Sequence, residues 1–449
     1  MEGGLGAPER LPLDWTSEEF YDPEAIDAEL RRVFDICHGC RLCFNLCDSF
    51  PRLFDLIDES ESGELDTVDS KDFKPIIDAC TLCDMCFMST CPYTPPHEFN
   101  LDFPHLMLRA RAAEHRRGET PFWDKQMTRT DRNGKLAGLV APLANWATKA
   151  DNGFTRPILE DVAGIDRHAE LPKYHGKSFT AAAAHPPKRN ETAPAKDRKA
   201  VLYATCFVNY NNPDIGVAAQ AILAANGVTT EVVYPECCGM PQLEQGDIPE
   251  VAKKARNVAA ALKPWLDDGY DIVALVPSCA LMLKFEWPLL LPDDPLIARL
   301  GAATKDVTEY IVDIAKTEGL VAEPKPLDGG VSLHLACHSR AQNFGQKAAE
   351  MLRLIPDMDI KVIERCSGHG GSWGVKKENF ETALKVGKNA ARAAGREGKP
   401  YVASECPLAG VHMLQGMKRL NEENPDTFKA PPKVSHHPVE LFAKACGVI

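Results

Sequence analysis

From Ala200 onward the chain switches repeatedly between two hydrophobic periods. AVLYATC (200–206), VTTEVVY (228–234) and YDIVALVPSC (270–279) are short apolar runs of strand character. Between them, DIGVAAQAILAANG (214–227) and EVAKKARNVAAALKPWLDDG (250–269) place apolar residues at helical spacing and stop on glycine. Strands alternating with helices predict a parallel α/β sheet. The order then recurs. GVSLHLAC (330–337), MDIKVIERC (358–366) and KPYVASEC (399–406) read as strands, with helices GQKAAEMLRLIP (345–356) and ENFETALKVGKNAARAAGREG (378–398) between them. Cys206, Cys237 and Cys279 recur as Cys337, Cys366 and Cys406 at offsets of 131, 129 and 127 residues, which indicates an internal duplication.

Upstream the pattern differs. Segments such as DLIDESESGELDTVDSKDFKPIIDA (55–79) predict helices and turns. The stretch from 115 to 198 contains no cysteine and ends in AAAAHPPKRNETAPAKDRK, which reads as a linker. The expected fold class is therefore a multidomain chain. A mainly helical two-cluster ferredoxin domain (1–114) is followed by an intervening segment and linker (115–198). Two duplicated α/β parallel-sheet cysteine-rich repeats follow (199–326 and 327–449).

Composition changes the picture chiefly through cysteine. The chain has 449 residues and 16 cysteines, eight of them between Cys37 and Cys91. No export signal is read at the N-terminus, so a cytoplasmic protein is expected, with peripheral association at the inner membrane also compatible. In a reducing compartment metal ligation or thiol chemistry is the better reading than disulfides. A net charge of −13 argues against a nucleic-acid partner. The most apolar stretch, from Ile272, holds Lys284, Glu286 and two prolines, so no membrane span is predicted.

Residues 37–47 read CHGCRLCFNLC and residues 80–92 read CTLCDMCFMSTCP. Three thiolates at three-residue intervals can wrap one iron–sulfur cluster, and a remote fourth completes it. In two-cluster ferredoxins that fourth cysteine ligates the other cluster. This assigns one [4Fe-4S] cluster to Cys37, Cys40, Cys43 and Cys91, and a second to Cys80, Cys83, Cys86 and Cys47. Zinc, which takes C-x2-C pairs two plus two, fits the spacing poorly. Two departures stand out: Asp48 rather than proline follows Cys47, and the second motif has one extra residue before Cys91.

Each C-terminal repeat puts its cysteines at the carboxyl ends of strands, where α/β sheets bind ligands. Cys206, Cys237, Cys238 and Cys279 supply four thiolates for a third iron–sulfur cluster. These motifs resemble those of the CCG-domain iron–sulfur oxidoreductases. That family takes in heterodisulfide-reductase proteins and the iron–sulfur (C) subunits of anaerobic glycerol-3-phosphate dehydrogenases. Its full pattern is C-xn-CCG-xn-C-x2-C. Repeat one departs from it only at Met282. Repeat two has Ser367 at the second adjacent position and Ala409 at the last. The resemblance implies electron transfer, and in some members a cluster that cleaves a disulfide.

For repeat two, Cys337, Cys366 and Cys406 with His369 form a candidate ligand set, and His338 is another candidate. The alternative is a polar cleft formed by Ser367, His369 and Arg340. The expected function is an iron–sulfur electron-transfer subunit. Its redox partner would be a flavin dehydrogenase, a peroxide-reducing di-iron protein or a quinone-linked subunit. A disulfide, thiol or small-metabolite reductase and a zinc-stabilised scaffold are the rival readings. No GxGxxG or GxxxxGK[ST] motif indicates bound NAD, FAD or ATP.

Overall fold

A computed structural model describes residues 6–428 and 431–449. Two four-stranded sheets, each wholly parallel, carry the C-terminal half. The first runs β2-β1-β3-β4, with β1 Lys199–Tyr203, β2 Thr229–Val233, β3 Asp271–Ala274 and β4 Thr304–Asp306. The second runs β6-β5-β7-β8, with β5 Val331–His334, β6 Ile360–Ile363, β7 Tyr401–Ser404 and β8 Ser435–His436. The predicted parallel α/β repeats are therefore present, with a fourth strand each that the sequence reading omitted. Residues 200–203 and 331–334 are all buried, because helices cover both faces of a parallel sheet.

In each sheet the chain leaves the first strand toward one side and returns on the other. β1/β3 and β5/β7 are thus topological switch points, where such sheets open a crevice at their carboxyl ends. The two repeats pack reciprocally. The helix after β4, Val307–Thr317, lies on Lys347–Leu352 of repeat two. Its counterpart after β8, Pro438–Cys446, lies on Pro213–Ala225 of repeat one. Both begin with a capping box, Asp306 with Glu309 and His437 with Glu440.

The N-terminal region is helical. Pro23–Cys40 is capped by Asp22, whose side chain accepts from the Ala25 amide, and buries Ile26, Leu30, Val33 and Phe34 on one face. Phe34, Phe50, Phe73 and Phe103 pack edge to face and tilted, with Phe50 and Phe103 centroids 4.7 Å apart. Each such ring contributes about 1.5–3 kcal/mol by burial. The helix ends at Arg41, in the left-handed region at φ 53°.

The intervening segment is folded. It forms helices Phe122–Met127, Thr130–Leu139, Ala141–Thr148 and Thr155–Ala163. Buried Arg156 donates to the carbonyls of Thr148, Asp166, Arg167 and Ala169 and ties the last of these helices to the chain beyond it. The stretch read as a linker is also packed. Phe179, Ala193 and Ala195 are buried, and the Asn190 amide donates to the Ala224 carbonyl at 2.9 Å. Its proline- and alanine-rich composition reads as a linker, but Ala193 packs against the Gly227 turn, where a Cβ on residue 227 would lie 2.9 Å from the Ala193 Cβ. Among the described residues no helix is long and apolar enough to cross a membrane.

Candidate functional site

The helix–turn geometry of the N-terminal region sorts its eight cysteines into two groups. Cys37 has Cys43, Cys91 and Cys40 as its charged neighbours. Cys47 instead faces Cys83 and Cys80, and Cys86 faces Cys83 and Cys80 before Cys43 and Cys47. The loop from Cys80 to Cys86 achieves this with Leu82 and Asp84 at φ 47° and 64°. Burial pushes the Cys43 thiol up to about 12 and raises Cys37, Cys47 and Cys86 as well, with neighbouring thiols adding to it. Burial raises Cys80 only to about 11, because the Arg111 guanidinium opposes it. A protein gains nothing from burying so many unionised thiols together. A cationic metal centre offsets the desolvation and takes the thiolates. The donor set therefore fits iron–sulfur centres. Among the described residues no three His, Cys, Asp or Glu side chains converge as ligands of one ion. Sulfur donors to a polynuclear cluster need not converge in that way.

In repeat one the four cysteines come from the ends of three strands. Cys206 opens a short helix after β1, behind Thr205 at φ 48°, whose hydroxyl accepts from the Val208 amide. Cys237 and Cys238 follow β2, and Cys279 follows β3 in the turn Pro277–Leu281. The sulfurs of Cys206 and Cys237 lie 3.6 Å apart, and those of Cys238 and Cys279 lie 3.2 Å apart. The hydrogen bonds from Cys206 and Cys238 lower the Cys237 thiol despite burial. Gly239 stands at φ 89°, and a Cβ there would make only ordinary contact with Val251 at 3.4 Å. Its requirement within the protein is conformational. Met282 is fully buried one turn beyond Cys279.

Repeat two is built differently. Cys337 is hydrogen-bonded to Cys366 and also to Cys83 of the N-terminal region, and Cys366 is among the charged neighbours of Cys47. Hydrogen bonding from Cys337 holds the Cys366 thiol at about 7, against the effect of burial. Cys406 lines the same cavity, but Glu244 and Glu405 are its charged neighbours. His369 faces His412, with ring centroids 6.0 Å apart. Both Nε2 atoms are buried without a hydrogen-bond partner. Burial holds both imidazoles neutral, at about 3 and about 4. His338 is engaged at both nitrogens, with Ser278 Oγ at 2.8 Å and the Leu82 carbonyl at 3.1 Å. It bridges three parts of the chain and has no nitrogen left for a metal.

The SGHGG loop is held by close backbone packing. A Cβ on Gly368 would sit 2.0 Å from the Ala383 carbonyl oxygen. Ser367 is buried and its hydroxyl accepts from the His369 amide at 3.4 Å.

Both repeats open onto one shared cavity of about 370 Å³, which also takes in Cys83. Sequence reasoning missed three of its neighbours. Asp131, from the cysteine-free segment, accepts the Cys237 amide at 3.1 Å and pairs with Lys254 at 3.3 Å. Glu244 is a half-buried carboxyl pushed up to about 7 by desolvation, with Arg111 opposing. His412 lies six residues beyond Cys406. Neither the period nor the spacing marks any of them.

The model of the CCG cysteine-rich domain matches twice, over residues 200–284 and 331–413. An anaerobic glycerol-3-phosphate dehydrogenase subunit of Escherichia coli K12, the one lettered C, is 28% identical over 313 residues, 68% of this chain and 75% of that protein. Lactate utilization protein A of Bacillus pumilus is 31% identical over 189 residues, 40% of this chain and 75% of the relative. A fumarate reductase (CoM/CoB) subunit of Methanothermobacter marburgensis is 26% identical over 226 residues, covering 49% of this chain and 42% of that protein.

Proposed function

The chain belongs to the CCG cysteine-rich domain family, and from that premise we propose that it is the iron–sulfur electron-transfer subunit of a dehydrogenase or reductase complex. Cys37, Cys40, Cys43 and Cys91 hold one [4Fe-4S] cluster, and Cys47, Cys80, Cys83 and Cys86 hold the second. Cys206, Cys237, Cys238 and Cys279 hold a third iron–sulfur centre. When bound, these centres supply one-electron transfer between a redox partner and the cavity between the repeats.

The observation that carries the reading is the order of the sulfur groups. The first set lies beside exposed Leu42 and Phe44, where a partner can dock. The second lies deeper, and its Cys83 touches Cys337 and lines the cavity onto which the repeat-one thiols open. The protein's share of the work is spacing, exclusion of water and hydrogen bonding to sulfur. Asp131 and Lys254 fix the Cys237 turn, and Trp287 donates to the Cys238 carbonyl at 3.1 Å. A flavin dehydrogenase, a peroxide-reducing di-iron protein and a quinone-linked subunit are the candidate partners.

The test is metal content with ligand variants. Anaerobically purified protein should hold clearly more than the eight or so irons of two four-iron clusters, and little zinc. Cys47→Ser should perturb the same spectroscopic centre as Cys80→Ser, not that of Cys37→Ser. Iron at or below about eight removes the third centre. A shared signature for Cys47→Ser and Cys37→Ser removes the crossed ligation.

A second reading, a thiol or disulfide reductase, is favoured by the Cys366 thiol held at about 7 beside the cavity. Thiol-dependent turnover by the isolated chain, lost in Cys366→Ser, would establish it.

A further inference from the structure

Ten of the twenty-one exposed large apolar side chains among the described residues lie between Phe122 and Val162, a stretch of 41 residues. Scattered exposed leucines are ordinary, but a concentration on consecutive helices is a docking surface. On Thr130–Leu139 and Ala141–Thr148 the outward residues are Leu136, Leu139, Val140, Leu143 and Trp146, with Leu139 83% and Leu143 61% exposed. The next helix continues the face with Phe154 and Ile158. The opposite side is the packed one. A Cβ on Gly134 would overlap the Tyr210 ring at 2.3 Å, Ala141 is buried, and Thr130 and Asn133 line the cavity.

Charge identifies the occupant. Residues 125–149 carry Lys125, Arg129, Arg132, Lys135 and Lys149 against one acid, Asp131, in a chain of net charge −13. That acid is turned inward, onto Cys237 and Lys254. The loop through Tyr174 is strapped to the same helices by Asn145, which exchanges two 2.8 Å hydrogen bonds with it. It adds exposed Lys173 and Lys177 to the rim. Of the other acids in 122–162, Asp124 pairs with Lys376 at 2.6 Å and Glu160 with Arg167, Asp151 pairs with Lys149 at 2.8 Å, and Asp161 lies at the far end of the third helix. Leucines and a tryptophan framed by lysine and arginine are the composition of helices that lie in a lipid headgroup layer. None of these helices is long or apolar enough to cross.

We propose that the helices of residues 122–162 form a platform that seats the protein on an anionic phospholipid surface. The platform does not depend on the iron–sulfur reading. It does, however, put the inner face of its first long helix against the cavity while the outer face meets lipid.

The experiment is co-sedimentation of the full-length holoprotein with vesicles of phosphatidylcholine alone or with about 30 mol% phosphatidylglycerol. The expected result is partition at least about tenfold stronger onto the anionic vesicles, weakened by salt. Leu139→Glu with Leu143→Glu should lower it at least about tenfold. Both side chains are solvent-exposed, so iron content and circular dichroism should stay at wild-type values. Lys135→Gln with Lys149→Gln should weaken it several-fold and leave the apolar face intact. Equal binding to both vesicles, no binding, or binding undiminished in the leucine variant overturns the proposal. A wild-type dimer that the leucine variant turns into a monomer, without vesicle binding, also overturns it and makes the face a protein interface.

Discussion

Replacing Arg10 by methionine tests how the second cysteine loop is held. The Arg10 guanidinium reaches Asp84 at 2.7 Å, Asp102 at 2.8 Å and Glu286 at 3.1 Å, and stacks on Phe87 at 4.6 Å. Asp84 sits between Cys83 and Cys86, and Glu286 belongs to repeat one. One cation therefore fastens a ligand loop to the repeat behind it. All three carboxylates are largely out of water, so none can be left alone cheaply. Burial opposes ionisation of Glu286, yet His105 and Arg10 outweigh it and hold that carboxyl at about 2.

Breaking a buried ion set by removing one partner costs about 3–5 kcal/mol. His105 remains 3.2 Å from Glu286, which keeps the expected loss near the lower end, about 3 kcal/mol. Arg10→Lys should lose less, since the charge stays but one ammonium cannot fork to three acceptors. Adding Asp84→Asn to Arg10→Met should recover about 1 kcal/mol by removing a stranded carboxylate. The assay is anaerobic urea unfolding followed by far-ultraviolet circular dichroism, with visible absorbance reporting the bound centres. Absorbance should fail at lower urea than the helical signal, because the loop loosens first. A loss under about 1 kcal/mol for Arg10→Met refutes the claim that these carboxylates depend on Arg10.

Two glycines separate conformation from crowding. Gly239→Ala has room at 3.4 Å and should lose about 1–2 kcal/mol for its positive φ alone. Gly368→Ala, 2.0 Å from the Ala383 oxygen, should lose about 3–5 kcal/mol in the same assay. Equal losses would show that the second loop yields freely. Glu244 supplies a pH dependence. Its folded pKa of about 7 lies above the unfolded value of about 4.3, so the unfolded chain binds fewer protons and stability falls as pH rises between the two. Glu244→Gln should flatten that fall and add up to about 3 kcal/mol above pH 7, read from unfolding curves across pH. An unchanged pH profile would mean that the carboxyl is hydrated or ionised.

The duplication was legible because two independent signals agreed: apolar runs of strand length, and cysteines at their carboxyl ends. Strands β4 and β8 were not, being three and two residues long, too short for any period to register. Their trace survives in the capping boxes, since DVTE and HPVE recur at the same offset of 131 residues. The intervening helices failed for another reason. Pattern reading assumes that the apolar stripe of a helix faces the core. In 130–148 that stripe faces outward, and the inner face is made of glycine, alanine, threonine and asparagine. The cavity was the least legible feature, because it joins residues far apart in sequence. Asp131 meets Cys237 106 positions away, and Leu82 meets His338 at a separation of 256.

The same geometry gives a physical reason for the serine in repeat two. Reciprocal packing turns the cysteine loops of both repeats toward one cavity, yet their surroundings are not equivalent. Cys337 touches Cys83, and Cys366 is a charged neighbour of Cys47, so repeat two lies directly against the second N-terminal cysteine set. The repeat-one thiols have other surroundings: Asp131 accepts the Cys237 amide and pairs with Lys254, and the Trp287 indole donates to the Cys238 carbonyl. With clusters held as proposed, a four-thiolate centre in repeat two would set two anionic groups in contact at low dielectric, where like charges repel by several kcal/mol. Ser367 avoids this. It is small, buried and neutral, its hydroxyl accepts from the His369 amide, and it stands where a second thiolate would. The cavity then has the four thiols of repeat one on one wall and, on the other, Cys337, Cys366 and Cys406 with the neutral imidazoles of His369 and His412.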